Sequence, residues 1–371
     1  MPYRCRLAWV AVVACVAALA CTAPSQGSDT PVAQPVAAAA SASAASTPAR
    51  PVGSFALALA APAVLIERTK SSALTVSVTR VAPFNGPVTV GVGGAGASAA
   101  LPTGVVAGAL TIPAGRSFGT LTIAVSGAAK FGSSALMVRG AALGGVASTS
   151  VPLALVVGRA TGSFAEASPT PYTSTVPSNV TSHTAAYRVE VAAAAAGAAQ
   201  ARTARYFKGP IPLGSELGFS LGPAPALGGA GFCDDLAAGA LARGVVLSAT
   251  APGSRTQNVV TFVDLTGNAA VVREVGVDMH AVAPKPRVFA PRVFFSPDCS
   301  IALVAGVNRR ASPHHLLQLV DLTTGNRLGS DIGFSSTQFQ AQVKSAGTAQ
   351  QLEVTVDAGS ATARTISIAL P

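Results

Sequence analysis

Short runs in which apolar and polar residues alternate one for one restrict this chain to β structure. FALAL at 55–59, LTVSV at 74–78, VTVGV at 88–92 and LTIAV at 121–125 all keep that period, and ALMV at 135–138 and VPLALVV at 151–157 continue the series. A period of two sends one side of each run inward and leaves the Thr, Ser and Arg side outward, as a half-buried strand requires. Glycine (37) and proline (26) punctuate the runs, so turns are frequent and long helices are not expected. Roughly six to eight such strands over 53–157 predict an antiparallel β-sandwich.

Residues 158–179 are rich in Ser, Thr and Pro and read as a linker, and 180–371 as a second folded region. Strand-like YRVEV (187–191) precedes an alanine-rich stretch reaching Gln200 in which a short helix is left open. From Gly244 the chain repeats itself. GVVLS (244–248) with VVTFVDLTGN (259–268) is echoed by IALVA (301–305) with LLQLVDLTTGN (316–326), the two aspartates, Asp264 and Asp321, standing 57 positions apart. LEVTV (352–356) with TISI (365–368) is a third, truncated copy. Each copy reads as a hairpin whose aspartate bonds local amides while Gly takes a positive φ. The fold class expected is all-β: a sandwich followed by a second antiparallel domain of blade-like hairpin repeats. A single second sandwich built from the same hairpins is the alternative.

Two resemblances rest on these residues. FNGPVTV (84–90), LPTGV (101–105), IPAG (112–115) and LTI (121–123) are similar, in kind and order, to elements of the Ig-like domains of bacterial surface and secreted proteins. The likeness implies an architecture and no ligand. FFSPDCSI (294–301) resembles the F-S-P-D-G blade element of β-propeller proteins, with Cys299 where the family has glycine. At about 40–50 residues per blade, the second region holds four blades at most.

The first 21 residues carry a third resemblance. Arg4 and Arg6 precede an uncharged apolar run from Leu7 to Ala20, which is shorter than the roughly 18–20 residues of a bilayer span, and Cys21 follows. AALAC (17–21) resembles the lipobox of bacterial lipoproteins, with Ala18 where leucine is commoner. The likeness implies cleavage before Cys21, acylation of its sulfur, and a membrane anchor. Thr22 rather than aspartate after it points to the outer membrane. Cleavage after Ala20 by a general signal peptidase, giving a plain secreted protein, is the alternative. Residues 22–52 are Ala, Ser and Pro with no aromatic residue and read as a tether.

Export frames the remaining chemistry. Cys5 and Cys15 lie before the cleavage point and Cys21 is assigned to lipid, which leaves Cys233 and Cys299 as one pair, expected as a disulfide, with two buried thiols as the alternative. The formal charge of +10 is scattered singly, with Arg309 and Arg310 the sole basic doublet after Cys21, so nucleic-acid binding is not expected. GVGGAG (91–96) fits a dinucleotide fingerprint, but LPTG interrupts any helix after it and no acidic residue occurs between Glu67 and Glu166. GRSFG (115–119) fits a nucleophile elbow, but a strand pattern follows Ser117. Asp234, Asp235, Asp298, His280, His314 and His315 are the groups able to do acid–base or metal work, yet their spacing assembles no nucleophile, base and orienter. No catalytic residue, cofactor or metal site is expected. The reading is an anchored envelope lipoprotein that binds another envelope protein or a glycan, with an exported hydrolase as the alternative.

Overall fold

Strand pairing follows the alternation. A computed structural model describes residues 53–95, 100–143, 146–167, 170–171, 178–181, 187–193, 201–220, 229–234, 241–250, 256–279, 291–307, 315–335 and 338–370. The regular elements among them are β-strands. Residues 1–52, and hence Cys21 and the tether, lie outside the described residues, as does the alanine-rich stretch from 194 to 200.

The first body is a two-sheet sandwich. One sheet has the order Ser54–Leu59, Ser71–Val81, Phe118–Val125, Val105–Ala107; the other has the order Ala63–Glu67, Thr149–Gly158, Gly132–Ala142, Val88–Gly94, Leu110–Ile112. Pairing is antiparallel except between Ala63–Glu67 and Thr149–Gly158, which run parallel. The inward residues of the alternating runs, among them Val76, Val78, Val90, Ile123, Leu136 and Leu155, fill one core. Gly91 and Gly94 sit within a strand paired to Gly132–Ala142, and Phe118 opens the strand that follows Ser117. Among the described residues, neither enzyme-like motif is followed by a helix.

The second body is four meandering sheets, here numbered along the chain. Array sheet 1 contains Tyr187–Ala193, Ala201–Lys208 and Ile211–Ser220; array sheet 2 contains Gly229–Asp234, Ala242–Thr250, Thr256–Asp264 and Ala270–Met279. Array sheet 3 contains Arg292–Phe295, Ile301–Val307, His315–Asp321 and Ile332–Phe334; array sheet 4 contains Phe339–Ala346, Ala349–Val356 and Arg364–Leu370. Three cores join consecutive sheets: Val189 and Tyr206 meet Val246 and Val263; Val245 and Phe262 meet Phe295 and Val304; Leu303 and Leu319 meet Leu352 and Val354.

Neighbouring residues of one strand thus serve different cores, as with Val245 and Val246, Phe262 and Val263, or Leu303 and Val304. That explains why IALVA is continuously apolar and VVTFV is broken only by Thr261: array sheets 2 and 3 are covered on both faces. Array sheet 4 is packed on one face, and its strand Ala349–Val356 returns to strict alternation.

The connection 158–181 does more than join the two bodies. Gly162–Ser163 pairs with array sheet 4, Ala165–Glu166 with sheet 3, Thr170–Pro171 with sheet 2 and Ser178–Thr181 with sheet 1. It adds one antiparallel edge strand to each sheet, in reverse chain order, and forms a spine along the array. Arg292 donates through Nε to Glu166 Oε1 at 2.7 Å, and this hydrogen bond raises the Arg292 pKa above its ordinary value against a smaller effect of burial.

Candidate functional site

The chemistry-bearing side chains gather where the last sandwich strand gives way to the spine. Gln350 grips the backbone of Arg159 at two points: Arg159 N donates to Gln350 Oε1 at 2.6 Å, and Gln350 Nε2 donates to Arg159 O at 2.8 Å. Gly158 leaves room for that grip, since a Cβ there would lie 2.9 Å from the Gln350 amide. Arg159 Nη2 donates to Asp321 Oδ2 at 2.8 Å. Arg159 and Arg68 both lie over the Phe131 ring, their guanidinium carbons 4.5 and 4.6 Å from its centroid. The sandwich and array sheets 3 and 4 are thereby bound through one arginine.

Both D-L-T turns recruit an arginine, by different routes. Asp321 Oδ1 accepts from Thr323 N and Oγ1 at 2.8 and 2.6 Å, and Asp264 Oδ1 accepts from Thr266 N and Oγ1 at 2.9 and 2.5 Å. Asp264 also accepts from Arg243 Nη1 at 2.6 Å, a residue directly opposite it on the neighbouring strand. The position opposite Asp321 is Ile301, and Arg159 of the spine supplies the guanidinium instead. Burial pulls the Arg243 pKa below its ordinary value, opposed by the charge of Asp264, its hydrogen bond, and the charges of Asp321 and Asp298.

A cleft of about 460 Å³ opens between these parts, lined by Arg68, Lys130, Phe131, Arg159, Arg243 and Asp321 among others. Arg159 and Arg243 are almost wholly buried, at 1 % and 4 % exposure, and Nε of each has no hydrogen-bond partner among the described residues. A second groove of about 400 Å³ runs along the spine, where Phe164, Phe294 and Phe339 adjoin Gln340, Gln342 and Glu353.

Of the residues singled out in the sequence, Cys233 and Cys299 come together in a disulfide with a Cα separation of 5.8 Å, tying array sheet 2 to the turn before Ile301. Cys299 has a φ of 55°, in the left-handed region that glycine takes more readily. Asp298 serves that turn: Oδ1 accepts from Ser296 Oγ, Ser300 N and Ser300 Oγ, and Oδ2 accepts from Ala160 N of the spine at 3.2 Å. His315 begins a strand with its ring 5.2 Å from that of Phe334. Asp234 ends a strand, its side chain undescribed, and Asp235, His280, His314 and Cys21 lie outside the described residues. Among the described residues no group of three His, Cys, Asp or Glu could hold a metal ion.

Sequence reasoning did not single out Arg68, Arg159, Arg243 or Gln350 for this junction. The repeat flagged Asp264 and Asp321 as turn residues, but the Arg159 partner of Asp321 lies 162 positions away and no local pattern announces it.

No protein-family model matches the chain, and no curated protein matches it. Solved structures similar in part include the following three. The crystal structure of the S-layer protein rSbsC(31-844) is 13 % identical with a TM-score of 0.22, over 65 % of this chain and 26 % of that one. Domains 4–9 of surface layer protein SbsC are 10 % identical with a TM-score of 0.21, over 85 % of this chain and 50 % of that one. A chimeric titin Z1Z2 carrying an exogenous decorin peptide is 14 % identical with a TM-score of 0.20, over 60 % and 94 %. This chain therefore spans about a quarter and a half of the two S-layer structures. At these TM-scores the neighbours lend no weight to any function. What the geometry itself defines is an all-β protein with a disulfide-tied array of sheets clasped to a sandwich.

Proposed function

We propose that this chain is a membrane-anchored bacterial lipoprotein that acts as a non-enzymatic binding or structural module of the cell envelope. Cys21 carries the lipid, Thr22 directs the chain to the outer membrane, and residues 22–52 tether the folded part, with a root-mean-square reach of roughly 30 Å. The partner is another envelope protein or a glycan, and nucleic acid is not one.

The observation that carries this reading is the joining of sandwich and array by the spine and by Arg159. A chain built to hold two β bodies as one suits display and spacing better than turnover. The disulfide between Cys233 and Cys299 suits an oxidising compartment. The acid–base candidates that can be traced are engaged in the fold, Asp298 by its turn and His315 by the ring of Phe334.

The test is growth of producing cells with an alkyne palmitate, fractionation of their membranes, and crosslinking with mass spectrometry, each compared with Cys21→Ser. The reading expects label and membrane association in the native protein, loss of both in Cys21→Ser, and recovery of a specific envelope partner. Label persisting in Cys21→Ser, or hydrolysis abolished by Asp298→Ala or His315→Ala with the fold intact, would overturn it.

A further inference from the structure

One face of array sheet 4 packs into a core, and the other carries a polar ladder that begins in the spine. Ser163 lies opposite Gln342, Gln342 opposite Glu353 and Glu353 opposite Ser367, so the four side chains project to one face. Gln340, Thr355 and Thr365 form the row beside them. Leu352 and Val354 flank Glu353 in the strand and are buried on the opposite side. Along the spine the polar face runs into three half-buried rings, Phe164, Phe294 and Phe339, and the groove of about 400 Å³ is lined by both.

Two of the rings hold each other. Phe294 and Phe339 meet edge to face with centroids 4.8 Å apart, and the Arg292 guanidinium carbon lies 4.9 Å from the Phe294 centroid. Phe164 stacks on no other ring among the described residues, while its backbone is fixed by the bond from its N–H to Ala341 O. Ser163 and Gln340 are exposed, and their side chains form no hydrogen bond among the described residues. Glu353, the one carboxylate among the described lining residues, pairs with Lys344 at 2.5 Å and accepts from Gln351 Nε2 at 3.0 Å. The groove thus presents a half-exposed ring beside accessible amide and hydroxyl groups, with its carboxylate already neutralised.

We propose that this groove binds a neutral oligosaccharide. A pyranose has an apolar C–H face that packs on an aromatic ring and a rim of hydroxyls that exchange hydrogen bonds with amides and hydroxyls. Phe164 and the side chains of Ser163, Gln340 and Gln342 offer both surfaces side by side. A peptide adding as a strand does not suit the site, because the groove overlies a sheet face whose backbone groups are bonded within the ladder. An acidic sugar would meet the carboxylate of Glu353, whose Lys344 partner is already engaged. The volume lies in the range of small-molecule sites. The proposal deepens the envelope reading, on which it rests for a glycan as partner, by naming where the glycan lies.

Isothermal titration of the purified chain with chitohexaose, cellohexaose, maltohexaose and the acidic hexamer of galacturonate tests it. The expected result is saturable binding of at least one neutral hexasaccharide, with the acidic one at least tenfold weaker. Gln340→Ala is expected to weaken that binding about fivefold, the loss of a hydrogen bond, and Phe164→Ala about tenfold, the loss of a stacked ring. Gln340 is exposed, so its variant reports on the groove even where Phe164→Ala fails to fold. No saturable heat from any neutral hexasaccharide, equal binding of the acidic one, or binding unchanged in Gln340→Ala would overturn the proposal. Titration does not depend on acylation of Cys21, which separates the two readings. A chain that takes palmitate and binds no sugar loses this site and keeps its anchor; one that binds sugar and takes no palmitate keeps the site and loses the anchor.

Discussion

The guanidinium of Arg159 and the carboxylate of Asp321 meet at 2.8 Å with 1 % and 3 % of their side-chain surface exposed. One belongs to the spine and the other to a turn of array sheet 3, so this ion pair fastens the connection between the bodies to the array. Removing one partner of a buried pair leaves an uncompensated charge inside the protein.

Asp321→Ala is accordingly expected to lower stability by about 3–5 kcal/mol. Asp264→Ala, the equivalent change in the first repeat, is expected to cost less, because Asp264 is 35 % exposed, so water already screens its end of the pair, and the charges of Asp321 and Asp298 still act on the buried Arg243. Urea unfolding of the two variants beside the native chain checks the ranking. Equal losses would show that burial does not separate the two turns.

The disulfide closes a loop of 66 positions. Its removal is expected to cost about 4 kcal/mol on the chain-entropy account. Urea midpoints of the native chain and of Cys233→Ala measure that loss, and a shift below about 1 kcal/mol would contradict it.

Cys299 offers a finer test in the same background. Its positive φ favours glycine. Within Cys233→Ala, adding Cys299→Gly is expected to leave the protein about 1 kcal/mol more stable than adding Cys299→Ala. The reverse order would mean that this turn does not take the left-handed conformation in solution.

Packing of array sheets 1 and 2 depends on Gly244, where a Cβ would lie 2.6 Å from Cζ of the Tyr206 ring. Tyr206 cannot simply swing away, since its hydroxyl lies 2.9 Å from Val245 O. Gly244→Ala is expected to cost about 1–3 kcal/mol. The double variant Gly244→Ala/Tyr206→Ala is expected to lose less than the sum of the two single losses, as a double-mutant cycle in denaturant would show.

The legible parts of the fold were those with a period. LTVSV at 74–78 and LEVTV at 352–356 announced strands packed on one face, and the D-L-T repeat announced turns, because Asx bonding is local. VVTFV at 259–263 identified a strand, yet its apolar character, broken only by Thr261, implied two covered faces that single-strand reasoning left unused. The spine was illegible for a physical reason: Gly162–Ser163 and Ala165–Glu166 are two residues each, too short to show any period, and the Ser, Thr and Pro content of the stretch around them reads as linker. The disulfide was reached by counting cysteines. The basic cleft was not reached, because Arg68, Arg159 and Arg243 converge only once three elements distant in sequence have packed.

The central claim is that the short strands Gly162–Ser163, Ala165–Glu166, Thr170–Pro171 and Ser178–Thr181 are built into the array. Phe164 N donates to Ala341 O at 3.0 Å and Ala167 N to Val293 O at 2.9 Å, so these amides should be protected when the array is folded. Hydrogen exchange of the intact, disulfide-bonded chain, read by mass spectrometry over peptides spanning 160–167, measures this directly. Protection matching that of Arg292–Phe295 and Phe339–Ala346 is the predicted result. Exchange at the rate of an unstructured peptide, while those two strands stay protected, would contradict the account.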